Sequence, residues 1–213
     1  MGETQDLGRR IELFSMDANC LDISLALYRR GTGESARVLV HSYSQLDGVT
    51  ERVGFISQAL QVKAGLEPVP GESGWLKFPC DGFHQRALTR AFLDVCKLAS
   101  GTPLAVEPLS KFDKKADCNL SAVELGGGVY EMRPDQQTEA GHKRASALTR
   151  GFVKLCQMEA IEDHPDRAAF FCKTSHNALM GTLMYRAQNL RAAMREQEST
   201  ASRGVLAAPS QQE

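Results

Sequence analysis

Apolar positions along the chain form short alternating runs, broken in each half by two stretches with helical spacing. Ile11 to Met16 reads as a short strand. From Leu21 to Tyr28, Ile23, Leu25 and Leu27 alternate with smaller or polar groups, which predicts a strand with one apolar face. Gly31-Thr32-Gly33-Glu34 turns the chain into Arg37 to His41 and closes a hairpin. From Gln45 to about Val62, the spacing of Val49, Val53, Ile56 and Leu60 predicts a helix with one buried stripe. Pro68, Pro70 and Gly71 end it in a loop. Trp75 to Cys80 reads as a strand, and His84 to about Ala99 as a second helix with Leu88, Phe92, Val95 and Ala99 inward.

The second half follows the same order. Leu104 to Leu109 is a weak strand and Lys111 to Asp117 a charged connector. Cys118 to Leu125 is a strand with Ser121, Val123 and Leu125 on one face, and Cys118 with Leu120 on the other. Gly126-Gly127-Gly128 turns it into Val129 to Arg133. A helix from about Thr138 to Ala160 uses Leu148, Phe152 and Leu155. Arg167 to Cys172 is a strand, and Ser175 to about Glu196 is a last helix with Leu179, Leu183, Ala187, Leu190 and Met194 inward.

One phrase recurs: Phe78-x-Cys80-x-x-x-His84-x-x-Ala87-Leu88 returns as Phe170-x-Cys172-x-x-x-His176-x-Ala178-Leu179. The same register carries Cys20 onto Cys118, Phe14 onto Phe112, Leu27 onto Leu125, and Gly54-Phe55-Ile56 onto Gly151-Phe152-Val153. A rival match, Ala87-Leu88-Thr89-Arg90 with Ala147-Leu148-Thr149-Arg150, is denser locally but does not extend across element types. The predicted fold is therefore α+β, an internal duplication of a strand-strand-strand-helix-strand-helix unit. Its halves, residues 10–100 and 101–196, pack about a pseudo-twofold. The tail 197–213 has no period and reads as disordered.

Doubled within one chain, this element order resembles the architecture of imidazoleglycerol-phosphate dehydratase and its structural relatives, in which two such units pack about a pseudo-twofold. The likeness is one of topology. The metal-binding repeats of that family rest on adjacent histidine pairs, and no two of His41, His84, His142, His164 and His176 are neighbours. Neither its activity, its metal nor its residues carry over.

Composition narrows the function classes. With 25 basic and 26 acidic side chains the net charge is -1, so no general attraction to nucleic acid or anionic membrane is expected. No apolar run reaches membrane-spanning length, and the opening lacks the pattern of a secretory signal, so a cytoplasmic protein with reduced cysteines is expected. Of the six cysteines, Cys96 and Cys156 fall inside predicted helices and read as core filling.

Candidate chemistry gathers at Cys80, His84, Cys172 and His176, which frame two equivalent strand-to-helix loops. A thiolate beside an imidazole supplies a nucleophile and a base. Two cysteines and two histidines brought together at a pseudo-twofold complete a tetrahedral zinc site. The plainer reading is favoured here: Cys80 is in phase with Leu76 and Phe78, and Cys172 with Ala168 and Phe170, so both thiols read as core filling, and the histidines as capping or packing at a helix entrance. The glycine runs lie between strands and read as hairpin turns, without the strand-to-helix context of a phosphate loop. Arg90, Lys97, Arg150 and Lys154 lie opposite the apolar stripes and are expected at the surface. Arg186, Arg191 and Arg195 give the last helix a basic end that suits its dipole.

The sequence thus predicts a non-catalytic binding or interaction module, compatible with a homo-oligomer, with no cofactor expected. The alternative is an enzyme acting on a small anionic molecule through Cys80, His84, Cys172 and His176 at a cleft between the repeats.

Overall fold

A computed structural model describes residues 9–16, 23–29, 36–42 and 49–186. The predicted tail, Cys20, the Gly31 to Gly33 turn, Arg191 and Arg195 lie outside the described residues. The fold is α+β, with four helices and two antiparallel sheets among the described residues. The first half runs β1 (Arg9–Met16), β2 (Ile23–Arg29), β3 (Ala36–Ser42), α1 (Val49–Ala64), β4 (Glu67–Pro68), β5 (Trp75–Lys77) and α2 (Gln85–Val95). The second runs β6 (Ser110–Asp113), β7 (Cys118–Gly126), β8 (Val129–Pro134), α3 (Glu139–Cys156), β9 (Glu159–Ile161), β10 (His164–Ala169) and α4 (Asn177–Arg186).

The strand orders are β1-β2-β3-β5-β4 and β6-β7-β8-β10-β9, the same arrangement in each half. Helices α2 and α3, which carry the rival Ala-Leu-Thr-Arg phrases, occupy different places in that order. Each half holds one short edge strand, β4 or β9, that periodicity did not predict, because two or three residues are too few to alternate. Likewise the first strand of the second half is Ser110–Asp113, displaced from the predicted Leu104 to Leu109.

Helices α1 and α2 pack on β3 and β2, and α3 and α4 on the second sheet, while α2 touches α3 and α1 touches α4. One continuous core results, in which Leu25, Phe78, Leu88 and Phe92 join Leu120, Tyr130, Phe152, Phe170 and Leu183. Strand β7, whose inward face the sequence left open, turns its Cys118 face to the core. Cys118, Leu120 and Ala122 are buried and Leu125 is 45% exposed. The pairing explains why. Tyr130, fully buried, pairs with Glu124 of β7 and with Ala168 of β10, which puts Ala122 and Leu120 on the inward side of β7. Ile56, Ala59 and Leu60 are buried in α1, and Phe152, Leu155 and Cys156 in α3.

Helix α2 ends at Val95, short of the predicted Ala99, and runs on in tight turns, Lys97 N–H to Asp94 O and Leu98 N–H to Val95 O, with the Arg52 guanidinium donating to the Cys96 carbonyl at 2.5 Å and to that of Leu98. The predicted exposed connector is anchored as well. The Asp113 carboxylate is buried against Arg144 of α3, with Nε to Oδ2 at 2.5 Å. Lys97, Arg150 and Lys154 are exposed as expected, while Arg90 is half-buried and its carbonyl accepts from Arg186. No described helix is long and apolar enough to cross a membrane.

Candidate metal centre

Two strand-to-helix loops build the site. Phe78, just after β5, and Phe170, just after β10, are each 1% exposed and pin the start of their loops in the core. Each loop then runs through a cysteine to a histidine whose carbonyl begins the next helix: Leu88 N–H donates to His84 O and Met180 N–H to His176 O, both at 2.8 Å. The His84 side chain makes no capping hydrogen bond, contrary to the capping reading, so its imidazole is available to the interior. In the second loop the hydroxyls of Thr174 and Ser175 donate to the Cys172 carbonyl and to Glu124.

The four candidate side chains converge. Cys80 Sγ lies 3.1 Å from His84 Nε2 and 3.4 Å from His176 Nε2, and Cys172 Sγ lies 3.1 Å from His176 Nε2. All four donor atoms fall within 4.8 Å of one another. Ligands at the corners of a zinc tetrahedron are about 3.3 to 3.8 Å apart, given the usual metal–sulfur and metal–nitrogen lengths. Both thiols are half-buried at the margin of the core, and so are not the fully buried core filling that their strand phase suggested. The imidazoles lie deeper, 2% and 5% exposed, edge-on to Phe78 and Phe170. A shallow pocket of about 450 Å³ opens over the sulfur side, lined by Cys80, Asp81, Gly82, Phe171, Cys172 and Thr174.

Gly82 allows this convergence. A Cβ there would sit 2.6 Å from Cys172 Cβ and 2.9 Å from His84 Nε2, inside any real contact. Its N–H also donates to Cys80 Sγ at 3.3 Å, which favours the thiolate form of that sulfur. Gly82→Ala is expected to destabilise the fold by about 1–3 kcal/mol through overpacking and to separate the two cysteine loops. Urea denaturation and metal affinity of the variant check this, and unchanged values in both would contradict the packing described.

The second loop is held by a polar chain. Tyr130 OH accepts from His176 N–H at 2.9 Å and donates to Asn177 Oδ1 at 2.8 Å, while the Glu124 carboxylate accepts from Ser175 Oγ and from Asn177 Nδ2. Sequence reasoning placed Gly82 in the first loop as a flexible turn but missed Tyr130 and Glu124 as parts of the site.

Burial disfavours the charged forms of both imidazoles and of the Cys80 thiol. Burial, and then His176, push His84 down to about 3, and burial lowers His176 to about 4, so both imidazoles are neutral at pH 7 and carry free lone pairs for a metal. Burial, followed by the neighbouring Cys172 and Asp81, pushes the Cys80 thiol up to about 12 against the opposing Gly82 N–H. A bound cation would reverse that balance. Lowered histidine values also set a sign for stability. The unfolded chain takes up protons near 6.5 and the folded chain does so only near 3 to 4, so the metal-free protein weakens as pH falls through that window. A lower urea midpoint at pH 5 than at pH 7.5 is expected, and one that does not fall contradicts it.

The other cysteines among the described residues take no part. Cys96, Cys118 and Cys156 are 3%, 1% and 2% exposed and fill the core. Arg186 pairs with Asp94 at 2.9 Å and ties α4 to α2. No family model matches the chain, and comparison with curated proteins and solved structures gives no significant match.

Proposed function

We propose that the protein is a zinc-binding module in which one ion, held by Cys80, His84, Cys172 and His176, staples its two halves together in a non-catalytic role. The observation that carries this reading is the convergence of two thiols and two neutral imidazoles, from segments far apart in sequence, with donor atoms within 4.8 Å. Four protein donors fill a tetrahedron and leave no coordination position for a reacting water, which favours a structural ion over a catalytic one. In this reading residues 10–100 and 101–196 are copies of one unit, each supplying one Cys-x-x-x-His loop, and the common strand order supports it.

An enzyme acting on a small anionic molecule is the second reading, favoured by the pocket that opens on both thiols. Cobalt(II) separates the two. One equivalent added to metal-free protein is expected to give the intense visible absorption of tetrahedral thiolate ligation, and Cys172→Ala to lose it. Weak octahedral bands, or an unchanged spectrum in Cys172→Ala, would overturn the zinc proposal.

A further inference from the structure

The zinc cluster is built with its two kinds of ligand on opposite sides. The imidazoles are enclosed, 2% and 5% exposed, among Phe78, Phe170 and Phe171. The two cysteines, less enclosed than the histidines, instead line an open pocket of about 450 Å³. Both sit in loop segments between strand and helix, Cys80 after β5 and Cys172 after β10. Their Sγ atoms lie within 4.8 Å of each other, and closing a disulfide brings sulfurs to about 2.05 Å. The other described cysteines, Cys96, Cys118 and Cys156, are sealed in the core.

Resting on the zinc reading, we propose that Cys80 and Cys172 form a hydroperoxide-sensitive pair, whose oxidation to a disulfide ejects the metal and unstaples the halves. The step balances. One thiolate sulfur attacks hydrogen peroxide, breaking the O–O bond to give a sulfenic acid and hydroxide. The second thiolate sulfur displaces hydroxide from the first, forming the S–S bond. Two thiolates lose two electrons, one peroxide is reduced, and two protons from solvent turn the two hydroxides into water. The zinc ion leaves because disulfide sulfur is no longer an anionic donor, and two imidazoles alone hold it weakly. Peroxide is uncharged, so the Asp81 carboxylate at the pocket rim does not repel it.

The test treats zinc-loaded full-length protein with one equivalent of hydrogen peroxide. Released zinc is read with a chromophoric chelator, and disulfides by mass spectrometry of unreduced peptides. About one zinc released per Cys80–Cys172 linked peptide formed, both reversed by dithiothreitol and added zinc, is the expected result. Zinc retained, or zinc released with sulfinic acids or a different pairing, overturns the inference. A chain that takes up no zinc refutes the staple by itself. The peptide assay on that metal-free chain still decides the thiol pair: the linked peptide supports it and its absence overturns it.

Discussion

Chelator stripping of the purified protein is expected to lower its thermal midpoint by about 8 to 16 °C. An ion present at a thousandfold excess over its dissociation constant stabilises the state that binds it by about 4 kcal/mol. In a chain of this length each kcal/mol moves the midpoint by about 2 to 4 °C. The effect stops short of unfolding because the core is continuous across both halves and does not need the metal to exist, unlike a zinc finger, whose folding free energy comes largely from its ion. Restoring one equivalent of zinc should restore the midpoint. A stripped protein that melts where the loaded one does would mean that the four side chains converge for packing alone.

The second large effect lies away from the site. Asp113→Ala is expected to destabilise the protein by about 3–5 kcal/mol, because it leaves a buried guanidinium without its counter-charge. Arg144 and Asp113 side chains are only 5% and 8% exposed, and Arg144 Nη1 already lacks a partner. Burial alone would raise the Asp113 carboxyl, but Arg144, and the Lys115 and Ala116 N–H groups that donate at 2.9 and 3.2 Å, hold it below its ordinary value. The pair fastens the β6–β7 turn to α3, so its loss loosens the edge of the second sheet. Replacing both residues, as Asp113→Leu with Arg144→Met, should recover much of the loss, since two apolar groups leave no charge buried. Urea denaturation of the single and double variants measures this, and a single variant within 1 kcal/mol of the parent, on the order of an exposed pair, would contradict the burial of the ion pair.

Why part of this was legible in the sequence follows from what each signal encodes. Helical stripes such as Leu88, Phe92 and Val95 are long enough to fix both element type and inward face, and they are buried. Strand β7 was not, because Leu120 and Ala122 on one face compete with Val123 and Leu125 on the other, and only the pairing of Tyr130 with Glu124 and Ala168 chooses between them. The Cys-x-x-x-His phrase singled out the four residues that converge, but strand phase sent its sulfurs into the core. Both strands end before the cysteines, at Lys77 and Ala169, so the alternation that put them inward no longer applied. Long-range partners such as Asp113 with Arg144 carry no local signal, and their charge pattern looks the same as that of a solvated connector.

The most direct test is the metal content of the native chain, purified without chelators, beside a Cys80→Ser/Cys172→Ser double variant shown by circular dichroism to keep its helices. One zinc per chain in the parent and none in the variant is the predicted result. A parent without metal that also fails to bind added zinc, or a variant that retains a full equivalent, would contradict the assignment of Cys80, His84, Cys172 and His176 as a metal centre.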